Sequence, residues 1–153
     1  MAGKVYRSSV DIPRAQARRI IDAAFAEARA KNMEPLTIFV MDAGGNLIAA
    51  EREDGCAPLR LPVARGKAYA ALGNGVSSRT VGERNESRPA FLASVAAASG
   101  GHFVPVPGGV LILSDNDEVI GAVGASGASS DEDEQVAIVG IGAAGYRPGI
   151  VPA

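Results

Sequence analysis

Two hairpins, each made of two short apolar segments joined by a polar turn, constrain the fold of this chain most strongly. In the second hairpin, residues 110–113 and 119–124 are apolar and flank the polar turn at residues 114–118. In the first, residues 36–41 and 47–51 flank a turn at residues 42–46. Strands joined by such short turns run antiparallel. The sequence therefore predicts an antiparallel sheet.

The segments around the hairpins have the spacing of helices. Asp11 as N-cap and Pro13 in the first turn predict the start of a first helix, which ends before Pro35. A second helix is predicted over residues 58–72, and later ones within residues 77–98 and over residues 129–144. Because no strand–helix–strand unit occurs, the predicted fold class is α+β.

The composition fits one domain over residues 1–153. Hydrophobic residues make up 47% of the chain, but aromatic residues only 5%, so small aliphatic side chains must fill the core. Such chains often place surplus apolar surface in subunit contacts, and we therefore expect a homo-oligomer. Cys56 is the only cysteine, which excludes an internal disulfide and is typical of a reducing compartment.

Charge and hydropathy exclude several classes of partner. The net charge of −2 provides no basic field for a nucleic acid. No segment approaches the roughly 18 apolar residues of a membrane span, and the N-terminal residues lack the apolar run of a signal peptide. We therefore expect a cytoplasmic protein whose partner is a small molecule, with no membrane and no nucleic acid involved.

Backbone amides are the first candidate binding groups. The second hairpin runs through the small residues 125–130 into the acidic start of the last helix, where N–H groups lack helical partners. Such groups hold anionic or planar ligands, so Ser126 and Gly127 are candidates, together with Gly108 and Gly109 before the hairpin. Alternatively, the acidic residues 131–134 only stabilise the helix N-terminus.

His102, the only histidine, lies in a loop rich in Gly and Pro. A neutral imidazole there could ligate haem iron or transfer a proton, although a lone loop histidine is also often just hydrogen-bonded or solvated. The sequence contains no metal site made of protein groups alone, so His102 would be a metal ligand only if haem binds. The Gly-x-Gly-x-x-Gly pattern at residues 140–145 follows no strand, and it indicates close helix packing rather than a dinucleotide site.

Charged residues between the second and third helical segments offer two interpretations. Arg79, Glu83 and Arg84 belong to a stretch of alternating charge, which is typical of a solvated, ion-paired face. Alternatively, one arginine binds a substrate carboxylate or a propionate in bidentate fashion. Lys67 lies among alanines and either extends from the core to solvent or lies beneath a pocket.

Five segments together resemble the GlcG/HbpS family, which includes haem-binding proteins and the C-terminal domain of PduO-type proteins. They are residues 52–55, 64–68, 107–109, 120–127 and 131–137, and the resemblance spans about residues 12–142. It implies a single profilin-like α+β domain with an antiparallel sheet of about five strands flanked by helices, and often an even-numbered oligomer. Val110 stands where the family usually has Pro, and residues 77–102 are more polar than in many relatives.

Two functions remain open from the sequence. The first is a small-ligand-binding protein of the GlcG/HbpS type that holds haem or another tetrapyrrole, with His102 as axial ligand and Arg79 or Arg84 near the propionates. The second is a cofactor-independent isomerase, lyase or hydrolase acting on a small carboxylated intermediate of a catabolic pathway. There Arg79 or Arg84 would orient the carboxylate and His102 or Glu83 would move the proton. The amides near residues 108–109 or 126–127 would stabilise an oxyanion or enolate.

Overall fold

The sheet has five strands, all paired antiparallel, in the order β2-β1-β4-β3-β5. A computed structural model describes residues 3–153. The strands are β1 (Thr37–Asp42), β2 (Leu47–Arg52), β3 (Gly109–Leu113), β4 (Val119–Ser126) and β5 (Arg147–Gly149). The two hairpins therefore pair with each other through β1 and β4, while β2 and β5 form the two edges of the sheet.

Helices cover both faces of this sheet. They are α1 (Arg14–Ala30), α2 (Arg60–Asn74), α3 (Ser78–Arg84), α4 (Pro89–Ala98) and α5 (Ser130–Ala143). Alternate residues of β1 separate the two layers: Ile38 and Val40 belong to the core with α1 and α5, whereas Phe39 and Met41 pack against α2. This alternation follows from the two-residue period of a strand. None of the helices among residues 3–153 combines the length and the apolarity that a bilayer crossing requires.

Glycines bring the helices into backbone contact with their neighbours. A methyl group on Gly140 of α5 would lie 2.5 Å from the carbonyl oxygen of Ile20 in α1. On the other face, Gly124 of β4 lies against the Ala64 carbonyl of α2. Of the three glycines in the pattern at residues 140–145, Gly140 makes the close helix packing that the sequence indicated, whereas nothing lies within 4 Å of a Cβ added at Gly142 or Gly145.

The α+β class, the antiparallel sheet and both hairpins are confirmed. The N-cap prediction for α1 is wrong, because Pro13 occupies the N-cap position and no side chain caps the helix. Gly75 ends α2 in the left-handed conformation, as expected for a helix C-terminus. The sequence did not indicate β5, since it is three residues long and contains Pro148, which a sheet tolerates at an edge.

Helix α4 differs from the other helices in its packing. Its sequence is almost entirely apolar, yet none of its residues is buried. Leu92, Val95 and Ala96 are only partly covered, by a small cluster that includes Val81 and Phe103. The helix therefore leaves apolar surface open to solvent.

Two glycines of α5 provide a matched test of the packing between α1 and α5. We expect Gly140→Ala to lower the free energy of unfolding by about 1–3 kcal/mol, because the new methyl group meets the Ile20 carbonyl. Gly142→Ala should raise it by up to about 1 kcal/mol, because nothing lies within 4 Å of its added Cβ and alanine favours a helix. Chemical denaturation measures both, and an equal gain in the two variants would contradict the close contact.

Candidate functional site

Lys67 lies in the interior, where its ammonium group has two hydrogen-bond partners. Nζ donates a hydrogen bond to Asp133 Oδ2 at 2.8 Å and another to the Ala125 carbonyl oxygen at 3.1 Å. The side chains of Lys67 and Asp133 are 3% and 2% exposed. Lys67 therefore does not extend to solvent. Its charge is compensated inside the protein by a carboxylate.

The pair joins the two sides of the sheet. Lys67 belongs to α2 on one face, and Asp133 belongs to the first turns of α5, which packs on the other face with α1. Asp133 Oδ1 also accepts a hydrogen bond from the Ala128 amide at 3.0 Å. Burial raises the pKa of the Asp133 carboxyl, and this effect outweighs the lowering by Lys67, by the Ala128 amide and by Arg60.

Gly108 and Gly109 pack directly on Lys67. A methyl group on Gly108 would lie 2.7 Å from Lys67 Cδ and 2.7 Å from the Ala125 carbonyl oxygen. The Gly109 amide donates to Ser78 Oγ at 2.8 Å, and the Gly108 carbonyl accepts from the Ala125 amide at 3.0 Å. The sequence-based idea that the Gly109 amide is free for a ligand is therefore wrong, because Ser78 occupies it.

The backbone amides at the N-terminus of α5 are likewise hydrogen-bonded by side chains of the same segment. Ser129 Oγ accepts from the Glu132 amide at 3.3 Å, and Glu132 accepts in return from the Ser129 amide at 3.2 Å. This reciprocal pair is a capping box, and Asp133 holds the Ala128 amide. The prediction that these amides are unpaired is therefore wrong. The amides of Ala128, Ser129 and Glu132 are hydrogen-bonded by side chains at the start of α5 itself.

Ser126, the last residue of β4, and Gly127 lead to the N-terminus of α5. Ser126 is fully buried, and among residues 3–153 its hydroxyl is the buried side-chain group that lacks a hydrogen-bond partner. Its cross-strand neighbour is Thr37, whose hydroxyl lies 3.3 Å from the thiol of Cys56. Gly127 packs on the carbonyl of Pro35 at a φ of +147°. Ser126 therefore lies in a closed part of the structure, whereas Gly127 is half-buried.

Arg79 of α3 is held by carboxylates of α5. Its Nε donates to Glu134 at 3.1 and 3.2 Å, a terminal nitrogen pairs with Asp131, and Glu83 lies 3.8 Å away. Hydrogen bonding to Asp131 raises the pKa of the Arg79 guanidinium further, with Glu134 adding to the effect. This arrangement matches the ion-paired interpretation of the charged stretch. A role of Arg79 and Glu83 on a substrate stays a prediction.

His102 follows the end of α4. The chain turns at the end of α4, where the Gly101 amide donates to the Ala96 carbonyl at 2.9 Å, and the half-buried His102 follows. The next residues cross α2, since the Val104 amide donates to the Gly66 carbonyl at 3.1 Å. Among the described residues, no hydrogen bond or ion pair joins His102 to Lys67, and Arg84 is exposed at the end of α3.

The structure thus brings some predicted site residues together and leaves others apart. Lys67, Gly108 and Gly109 form one contact cluster, and Ser126 follows the carbonyl that Lys67 binds. Sequence reasoning missed Asp133 as the partner of Lys67 and Ser78 as the partner of Gly109. A lysine on the alanine-lined face of a helix was a signal that a buried carboxylate is required elsewhere, but not of which one.

The buried pair yields a stability prediction. Lys67→Met leaves the Asp133 carboxylate buried without its cation and should lower the free energy of unfolding by about 3–5 kcal/mol. The double variant Lys67→Met/Asp133→Asn should recover part of that loss, because no charge remains buried. Arg65→Met, an exposed cation two residues away on α2, should change stability by less than about 0.5 kcal/mol. Equal losses for Lys67→Met and Arg65→Met in urea denaturation would contradict the contribution of the pair.

Solved structures share this fold. The haem complex of PduOC superposes with a TM-score of 0.79 at 22% identity, covering 90% of this chain and 97% of that one. HbpS gives 0.75 at 21% identity, covering 93% and 97%. Protein ORFY of Klebsiella pneumoniae gives 0.77 at 22% identity, covering 93% and 98%. At these identities the likeness establishes the fold.

Sequence comparison places the chain more narrowly. Protein GlcG of Escherichia coli (strain K12) is 36% identical over 121 residues, which are 78% of this chain and 84% of GlcG. Residues 12–142 match the family described as haem degrading protein HbpS-like. This range includes both hairpins, the Lys67–Asp133 pair and His102. The chain belongs to the HbpS-like family.

Proposed function

We propose that this protein binds haem or a related tetrapyrrole at a surface formed by α4 and the following loop. We call it the α4 surface and define it by Phe91, Leu92, Val95 and His102. The observation that carries the proposal is the exposure of α4: an apolar helix without a buried residue leads into the only imidazole of the chain. Family membership supports the same conclusion.

The apolar part of the α4 surface suits the face of a macrocycle. Phe91, Leu92 and Val95 are each partly exposed, and the cluster beneath them includes Phe103. Ligand sites for planar molecules combine such apolar walls with a few placed polar groups. Apolar area that α4 leaves uncovered in the protomer would be removed from water when a flat ligand lies on it.

Cations lie at the N-terminal end of the same helix. Arg88 lies over the Phe91 ring, with 4.2 Å between its guanidinium carbon and the ring centroid. Arg84 ends α3, four residues earlier, and is exposed. Guanidinium groups bind carboxylates in bidentate fashion, so Arg84 and Arg88 are the groups we assign to the propionates.

His102 lies beyond the opposite end of α4 and is the group we assign as axial ligand. A neutral imidazole nitrogen is a common ligand of haem iron, which supplies redox and ligand-binding chemistry when the group is bound. His102 is half-buried, so part of the residue remains accessible to a ligand. The related PduOC was crystallised as a haem complex, which supports a haem ligand for this chain.

The exposed α4 surface also bears on the remaining expectations. Partly covered apolar residues on one helix are suited to completion by a second copy, so we retain the homo-oligomer as part of the proposal. A cytoplasmic location stays an expectation from sequence.

The enzymatic alternative would use Arg79, Glu83 and His102 on a small carboxylate, and it requires Arg79 to exchange Glu134 or Asp131 for the substrate. No further observation favours it.

Haem titration followed in the Soret region tests the assignment. We expect the wild-type protein to shift the Soret band, His102→Ala to lose the shift, and added imidazole to restore it by replacing the missing ligand. Arg84→Met should weaken binding by about three- to tenfold, because one charged contact to a propionate is lost. Arg19→Met, which removes an exposed cation from α1, should leave the titration unchanged.

Two results would contradict the proposal. If His102→Ala gives the wild-type Soret band, another group ligates the iron. If the wild-type protein shows no saturable change with haem, the α4 surface does not bind a tetrapyrrole. Circular dichroism of each variant confirms that the fold is retained.

A further inference from the structure

We propose a second binding site, for a small amphipathic carboxylate, in a groove at the β3–β5 edge of the sheet. We call it the edge groove. It is lined by Leu111, Leu113 and Val119 as floor, by residues 150–153 as wall, and by Arg147 and Asp117 at its rim. The site shares no residue with the α4 surface and does not depend on the proposed function.

The floor exists because α2 ends before it covers the sheet. The helix stops at Asn74, and Gly75 at its C-cap borders the groove. Leu111 and Leu113 belong to the α2 face of β3, and the register places Val119 of β4 opposite Leu113. These side chains therefore continue the core under α2 into an open apolar strip.

Strand β5 places a cation beside this strip. The register pairs Arg147 with Leu113 and Gly149 with Leu111, so both β5 residues lie on the floor side of the sheet. Gly149 has no side chain, and its backbone lies close to both leucines. The floor thus stays apolar up to the guanidinium of Arg147.

The wall is the segment that follows β5. Its start is fixed, because the Ile150 carbonyl accepts a hydrogen bond from the Ser77 amide at 2.7 Å. Val151 and Pro152 then run along the groove and remain exposed. The groove is open to solvent on one side and has a volume of about 730 Å³. That lies within the range of about 300–1,000 Å³ that small-molecule sites occupy.

The charged side chains at the rim indicate which charge a ligand would carry. Arg147 is the only cationic side chain among the residues that line the groove, and Asp117 is the only anionic one. They form an ion pair whose side chains are 55% and 68% exposed. Exposed pairs of this kind contribute little, so an external carboxylate can replace Asp117 without a large loss.

A ligand can bind Arg147 more favourably than Asp117 does, because the apolar group attached to its carboxylate contacts the floor of the groove. An alkyl or aryl tail attached to the carboxylate would cover the partly exposed Leu113 and Val119 above the buried Leu111, and removal of this apolar area from water favours binding. Asp117 has no such tail. The groove therefore selects for a single carboxylate joined to an apolar group of moderate size.

Binding of octanoate tests the site, with acetate and 1-octanol as matched probes. Two-dimensional NMR of Leu, Val and Ile methyl groups reports the site, and calorimetry gives the affinity. We expect octanoate to shift the methyl signals of Leu111, Leu113 and Val119 and to bind about tenfold more tightly than either probe, since acetate lacks the tail and octanol the charge.

Three variants test whether octanoate binding depends on the charged side chains at the rim of the groove. Arg147→Met should weaken octanoate binding about tenfold. Asp117→Asn should strengthen it by about two- to fivefold, because it removes the competing carboxylate, and asparagine tolerates the positive φ of 63° at this position. Arg19→Met, on α1 and outside the groove, should leave the affinity unchanged.

Several outcomes would overturn the inference. Equal affinity for octanoate and 1-octanol would show an apolar groove without carboxylate recognition. Absence of methyl shifts at millimolar octanoate, or an Asp117→Asn variant that binds no better than wild type, would also reject the site. His102→Ala should keep octanoate binding while it loses the haem shift, so failure of one proposal does not imply failure of the other.

Discussion

The ion pair between Lys67 and Asp133 is the interaction on which the arrangement of the layers depends. A lysine that is 3% exposed requires a partner, and the partner lies on a helix of the opposite layer. The pair passes the end of β4, where Lys67 also binds the Ala125 carbonyl. It therefore fixes the middle of α2, the end of β4 and the start of α5 relative to one another. Glycines at the start of β3 make room for Lys67, because a Cβ at Gly108 would lie 2.7 Å from Lys67 Cδ and one at Gly109 would lie 2.0 Å from the Lys67 carbonyl oxygen.

This rigid centre explains why the candidate binding surfaces lie elsewhere. The amides at the start of α5 and before β3 are engaged by Ser129, Glu132, Asp133 and Ser78. Polar groups satisfied in this way hold the fold and have little left for a ligand. Two parts that remain open are α4, which the core does not cover, and the strip of sheet beyond the end of α2. Both combine apolar surface with an arginine at one end.

Local signals in the sequence were sufficient for most of the elements. The two hairpins depend on neighbouring residues, and both were predicted. The start of α5 was predicted as a helix N-terminus, but its amides were expected to be unpaired, whereas a capping box engages them. The start of α1 was placed wrongly because Pro13 itself occupies the N-cap position. Strand β5 depends on its pairing with β3, which no local pattern records. The candidate site was harder still: Lys67 and Asp133 are 66 residues apart, and only tertiary packing brings them together.

The two edge strands of the sheet differ in their ability to pair with a further strand. Strand β5 has three residues and a proline without an amide hydrogen, so it cannot template another strand. Strand β2 has six residues, an exposed Leu47 and no proline. Sheet extension between copies is thus possible at one side of each protomer only. An assembly built in this way closes after two chains in a symmetric pair and cannot propagate into a fibre.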